Sequence, residues 1–341
     1  MTELPAPAPI REFTGVDRRM FEEEIRPLGQ PAVLRGLGAG WPVVQAAKQS
    51  PEAAVSYLMS FDRNRRSIGV LLGAPDIEGR FFYTPDYRDM NFTRGEVPLA
   101  DFFGRLLQDR DVERPFSLAV QSEAIPGLLP GFVGANHVEL LDSSVLPRIW
   151  IGNRIRVAPH YDLMENIGVV AIGRRRFTLF PPEQITNLYV GPIENTPAGT
   201  PVSVVDLAAP DLTRFPRYAE AAKTAQSAVL EQGDGIYIPY HWWHGVDSLD
   251  TVNAFVNYWW NSAQPGLGNP YDALMVALYA LRGLPEDQRD VWRRVFDHFV
   301  FMTDGDPVAH LPEDAKGVLG PITPEKLRMM RATIEHMFVR K

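Results

Sequence analysis

Ile167-Gly168-Val169-Val170-Ala171-Ile172-Gly173-Arg174-Arg175-Arg176-Phe177-Thr178-Leu179-Phe180-Pro181 holds two short strand-like runs, divided by a glycine and stopped by a proline. The first is apolar. In the second, Arg175, Phe177 and Leu179 share one face of an extended chain, while Arg174 and Arg176 share the other. Similar runs surround it: Arg148–Ile151, Pro201–Val205, Ile236–Ile238 and Val252–Trp259, each set off by Gly, Pro or Asn. Many short strands separated by turn residues predict a β-sandwich or jelly roll rather than alternating βαβ units. Leu212–Leu230 interrupts them and reads as an alanine-rich helical segment.

Outside this β region the patterning is helical. Asp17–Leu28 reads as a short acidic helix closed by Gly29, and Gln30–Leu37 as strand. Ser50-Pro51-Glu52 is a helix start, with serine as N-cap and proline in the first turn. Leu99–Leu107 places Phe102, Phe103, Leu106 and Leu107 on one side. After Pro270 helical spacing returns, through Leu274–Leu281, Val291–Phe301 and a last helix opening at Thr323-Pro324-Glu325. The expected architecture is mainly β with flanking helices: a proline-rich flexible tail over 1–10, a catalytic domain over 11–265 with N-terminal α/β elements, and C-terminal helices over 266–341.

Composition narrows the function. The chain has 341 residues, 45% hydrophobic and 22% charged, as expected of a protein that buries a core. Its net charge is −8 and it has no long basic run, so no nucleic-acid partner is expected. It contains no cysteine, which excludes disulfides, thiolate metal sites and cysteine nucleophiles. No apolar run is long enough to cross a bilayer, and Met1–Ile10 lacks the pattern of a signal peptide. The expected location is the cytoplasm.

The β region carries His160-Tyr161-Asp162. It also carries Gly233-Asp234-Gly235-Ile236-Tyr237-Ile238-Pro239-Tyr240-His241-Trp242-Trp243-His244. On a strand, residues two apart share a face, so His160 and Asp162 can point inward together while Tyr161 points away. Two imidazoles and one carboxylate are the ligand set that holds non-haem Fe(II) with open coordination positions. His244 is the preferred third ligand. His241 is the alternative, but its spacing would turn it to the opposite face. His137, His298, His310 and His336 lack carboxylates at useful spacing.

Several stretches resemble the cupin-like branch of the JmjC family of Fe(II)/2-oxoglutarate oxygenases, the branch that includes asparaginyl hydroxylases. They are Trp150-Ile151-Gly152-Asn153 running into Pro159-His160-Tyr161-Asp162, Gly173 through Gln184, Gly233 through His244, and Val256-Asn257-Tyr258-Trp259-Trp260. Pro31 through Trp41-Pro42 is also similar. The resemblance spans about residues 30–265. It implies a double-stranded β-helix (jelly roll or cupin) core, with Fe(II) held by His160, Asp162 and His244. It also implies 2-oxoglutarate as cosubstrate beside O2. Where the family grips the far carboxylate of that acid with a lysine, this chain has Arg175. Asn166 and Asn257 match asparagines near the cosubstrate. A threonine of the same site is replaced by Val157, and Gln121 lies in the strand where its tyrosine belongs. Trp259 is expected to back His244.

The implied reaction is hydroxylation of a protein side chain or a small molecule, with release of succinate and CO2. Two other readings remain: a metal-binding cupin enzyme that does not use 2-oxoglutarate, and a non-catalytic cupin-like binding protein. The C-terminal helices are apolar on more than one face, and related enzymes dimerise through such helices. A homodimer is expected.

Overall fold

The computed structural model describes residues 4–63 and 66–339. Its strands run in order: β1 (Ala8–Pro9), β2 (Arg11–Thr14), β3 (Ala32–Arg35), β4 (Ser67–Gly73), β5 (Phe92–Pro98), β6 (Ser117–Ala124) and β7 (Pro147–Gly152). Then follow β8 (Arg156–His160), β9 (Glu165–Ile172), β10 (Arg175–Phe180), β11 (Gln226–Leu230), β12 (Gly235–Ile238), β13 (Trp243–Ser248) and β14 (Asn253–Trp260). They form a five-stranded sheet, β1-β11-β10-β13-β8, and a nine-stranded sheet, β2-β3-β12-β9-β14-β7-β6-β4-β5. From β7 to β14 the chain crosses between the sheets. Segments β12-β9-β14-β7 and β11-β10-β13-β8 are the two halves of a jelly roll, as the spacing of short runs predicts.

The two sheets share a core of Val170, Phe177, Leu179, Leu230, Ile236, Ile238, Val246 and Phe255. The alternation in β10 holds: Arg175, Phe177 and Leu179 face inward and are buried. Arg174 and Arg176 face out, and each lies beside an acid, Asp250 and Asp247 respectively. Gly168 serves a close approach, because a Cβ there would overlap the Phe255 ring. The other face of the large sheet buries helices Pro42–Gln49, Pro51–Met59 and Leu99–Gln108 in a second core. Ser50 caps the second of these through Ala53 N–H at 3.1 Å, as its sequence foretells.

Four segments differ from the sequence reading. The tail expected over 1–10 does not extend to its end: β1 pairs with β11, and Ile10 is 2% exposed within the jelly-roll core. Residues 1–3 lie outside the described residues. Asp17–Leu28 is not one helix. Asp17 caps a single α-turn (Arg18–Met20), followed by a π-segment (Phe21–Ile25) and a 3₁₀ turn (Arg26–Leu28). Pro27 has no N–H to continue a ladder, and Gly29 closes the segment at φ 60°. Of Leu212–Leu230, only Tyr218–Ala222 is helical. Gln226–Leu230 pairs along β10, so tertiary pairing overrides local propensity. Pro201–Val205 makes only isolated bridges, Val202 to His160 and Ser203 to Val190.

Arg26 anchors the N-terminal segment. Its Nε and Nη2 donate to Glu165 at 3.0 and 2.6 Å, and Tyr237 Oη donates to the same carboxylate at 2.7 Å. The chain divides into two compact units, Met1–Asn261 and Ser262–Lys341. The second contains helices Pro270–Leu281, Glu286–Phe299 and Pro324–Val339. Among the described residues no helix is long and apolar enough to cross a membrane.

Because Ile10 is buried between the sheets, Ile10→Ala is expected to cost about 2–4 kcal/mol. Exposed Thr14→Ala should change stability by less than about 0.5 kcal/mol. Denaturant unfolding measures both.

Candidate active site

β8 and β13 are antiparallel neighbours in which His160 and His244 are directly paired. Their ring centroids lie 4.2 Å apart. Asp162 follows just past the end of β8, and its Oδ2 is 3.6 Å from His244 Nε2. Ligand atoms from His160, Asp162 and His244 all lie within 4.8 Å of one another, so one small ion can touch all three. Among the described residues this is the group that could hold a metal in this way.

Both imidazoles are oriented alike. His160 Nδ1 lies 3.0 Å from the Ala158 carbonyl, and His244 Nδ1 lies 3.0 Å from the Trp242 carbonyl. A carbonyl only accepts, so each Nδ1 carries the proton and each Nε2 keeps its lone pair for a metal. Burial, and then the neighbouring His244, hold His160 below the ordinary imidazole range and keep it neutral. His241 is elsewhere. Its backbone turns left-handed at φ 64°, and its ring stacks on Tyr161 with centroids 4.3 Å apart. Tyr161 points away from the triad against Trp243, as the strand alternation requires.

The aspartate is supported from the other sheet. Trp259 Nε1 donates to Asp162 Oδ2 at 2.9 Å. This corrects the expectation that Trp259 backs His244; an indole N–H seeks an acceptor, and the carboxylate is the stronger one. Asn166 Nδ2 approaches the same oxygen at 3.4 Å. Asn257 Nδ2 donates to Asn166 Oδ1 at 3.2 Å, and Trp150 Nε1 donates to Asn257 Oδ1 at 2.8 Å. Asn166 and Asn257 are both buried.

One cavity joins the triad to Arg175, and its walls include Gln121, Trp150, Val157, Phe177, Ile238, Val246 and Phe255. Arg175 is buried and belongs to no ion pair among the described residues. Its Nε has no hydrogen-bond partner, and its Nη2 lies only 3.5 Å from the Trp150 carbonyl. The guanidinium sits 5.0 Å from the Phe255 ring centroid. Burial pulls its pKa down to about 9, which leaves it charged at neutral pH. A buried cation of this kind lacks an anion. The triad supplies soft-to-borderline nitrogen donors and one carboxylate, which suits Fe(II). The other end of the cavity suits a carboxylate.

The cupin-like domain model matches residues 18–265. The chain belongs to the cupin-like domain family. Its relatives are JmjC-type proteins. It is 36% identical over 178 residues to lysine-specific demethylase JMJ31 of Arabidopsis thaliana, covering 52% of this chain and 29% of that protein. It is 25% identical over 319 residues to tRNA wybutosine-synthesizing protein 5 of Homo sapiens, covering 84% of this chain and 93% of that protein. HSPB1-associated protein 1 of Rattus norvegicus is 32% identical over 161 residues, covering 46% of this chain and 31% of that protein.

Within the cupin-like domain, two side chains at the site escaped sequence reading. Phe255 forms the apolar floor under Arg175, and Trp150 starts the hydrogen-bond chain to Asp162. Phe255 alternates with Asn257 on β14, so the inward face of that strand was available as a clue.

Removing the donor to the metal-site carboxylate should loosen the site without unfolding it. Trp259→Phe is expected to weaken Fe(II) binding about 10–100-fold, and Asp162→Ala to abolish it. Metal titration under nitrogen, with circular dichroism for the fold, checks both.

Proposed function

We propose that the protein is an Fe(II)- and 2-oxoglutarate-dependent dioxygenase that hydroxylates a protein side chain or a small molecule. The balance is substrate C–H plus O2 plus 2-oxoglutarate giving substrate C–OH, succinate and CO2. The observation that carries the reading is Arg175: a buried cation without a counter-charge, in one cavity with two histidines and an aspartate. A metal-binding cupin that used no acid cosubstrate would have no need of it.

His160, Asp162 and His244 would hold the iron, which supplies oxygen activation when bound. His160 and His244 present fixed Nε2 lone pairs. Trp259 and Asn166 hold one oxygen of Asp162, leaving the other to the metal. Arg175 would pair with the far carboxylate of 2-oxoglutarate; its planar fork matches two carboxylate oxygens, where a lysine would offer a point charge. Phe177, Ile238, Val246 and Phe255 line the cavity and keep water from its middle. The net charge of −8 points away from a polyanionic substrate. The cytoplasm remains the expected location.

Purified protein with Fe(II) under air should convert 2-oxoglutarate to succinate, and a peptide and amino-acid screen by mass spectrometry should show one added oxygen. Arg175→Met should cut 2-oxoglutarate turnover at least about 100-fold while Fe(II) binding persists. Undiminished turnover in that variant, or iron binding with no succinate from the native protein, would overturn the reading.

The C-terminal unit exposes Leu274, Met275, Tyr279, Trp292, Ile334 and Met337. Exposed apolar side chains on several helices support a homodimer formed through them. Light scattering should report a dimer for the native chain and a monomer for the double variant Ile334→Asp, Met337→Asp. A dimer that survives both changes would remove the last helix from the interface.

A further inference from the structure

The geometry points to Gln121 as a positioning residue for the acid cosubstrate, delivered by a β-bulge that Arg148 pins in place. This rests on the reading that an acid binds at Arg175.

β6 and β7 pair as Ala119↔Gly152 and Val120↔Ile151, then resume at Glu123↔Ile149. Gln121 and Ser122 therefore oppose the single residue Trp150. Such bulges re-aim side chains beside functional sites. Ser122 sits at φ 53°, a left-handed conformation that strains a residue other than glycine. Something must hold it there, and Arg148 does. Its Nη1 donates to the Ser122 carbonyl at 2.7 Å and to Ser122 Oγ at 3.2 Å. The Arg148 guanidinium also lies 5.9 Å from the ring centroid of Trp259, the donor to Asp162.

Gln121 lines the same cavity as Arg175 and the triad. Among the described residues its carboxamide has no hydrogen-bond partner. The bulge lies beside the arginine, because the residue it opposes, Trp150, is the one whose carbonyl Arg175 Nη2 approaches. Val157, in the same wall, offers no donor. A neutral N–H donor next to a lone guanidinium completes a site for a carboxylate: the arginine supplies charge, and the amide supplies a second, directional contact.

The test is equilibrium binding to the full-length metal-loaded protein under nitrogen, read by calorimetry or by the fluorescence of Trp150 and Trp259. The probes are 2-oxoglutarate and pyruvate, which has the keto acid end but no far carboxylate. Gln121→Leu is expected to raise the Kd for 2-oxoglutarate about tenfold, the effect of one hydrogen bond to a charged group. It should leave the Kd for pyruvate unchanged. Gln121→Glu should raise the first Kd further by like-charge repulsion. Arg148→Met should raise it in the same direction, while Ser122→Gly, which relieves the strain and keeps the bulge, should not. An unchanged 2-oxoglutarate Kd in Gln121→Leu overturns the proposal. So does equal weakening of both acids, and so does an effect confined to the KM of the hydroxylated substrate. If the native protein binds no 2-oxoglutarate, the functional reading itself falls, and this inference falls with it.

Discussion

The site depends on one register. His160 and His244 are far apart in sequence but directly opposed on antiparallel neighbours β8 and β13. A slip of one residue on either strand would turn its imidazole to the other face. The register is held by the rest of the sheet, since β13 also pairs with β10 from Arg175↔Ser248 to Phe180↔Trp243. The same pairing that opposes the histidines therefore fixes where Arg175 enters the cavity. Asp162, just past β8, reaches Trp259 on β14 of the other sheet. The triad is thus also a joint between the two sheets.

Arg175 shows that this is a site rather than a core. A buried ion without a counter-charge destabilises a fold by several kcal/mol, and aliphatic replacements of similar size are common in jelly-roll interiors. The sign follows from the depressed pKa of about 9. A base whose pKa falls on folding weakens the native state below that value, across the whole neutral range, and the penalty fades only as the unfolded arginine also loses its proton at high pH. The Phe255 face offsets part of this. An entering carboxylate offsets far more, so the strain in the free protein becomes affinity in the loaded one.

Much of this was legible in the sequence, for local reasons. Period-two alternation put Arg175 inside and Arg174 and Arg176 outside. His160-x-Asp162 on extended backbone and a turn-framed His244 required no long-range knowledge beyond the jelly roll itself. What escaped was decided by partners distant in sequence. β11 lies in an alanine-rich stretch that has no strand preference until β10 pairs with it. Ile10 looked like part of a tail because only the assembled sheets give it a place. The Ser122 bulge has no glycine to announce it, since Arg148 rather than backbone permissiveness holds the turn. Trp259 was placed on the correct site but the wrong ligand, because periodicity gives a face and not a bond.

Asn257 in the middle of a buried strand runs against propensity, and the hydrogen-bond chain explains it. The indole N–H of Trp150 can only donate, and the carboxylate of Asp162 can only accept. Between them, Asn257 must turn its oxygen to Trp150 and its amide to Asn166, which must turn its own amide to Asp162. The two ends fix the direction of every dipole, so the asparagine orientations follow from chemistry and not only from placement. All of those donors end on the metal-site carboxylate and favour its ionised form. The cavity is then ordered along its length: nitrogen and carboxylate donors at one end, a lone guanidinium at the other, and Phe177, Ile238, Val246 and Phe255 around it. Such a space favours a short molecule that can chelate a cation at one end and carries a negative charge at the other. An apolar ligand would leave the arginine unpaired, and a monoanion could satisfy only one end.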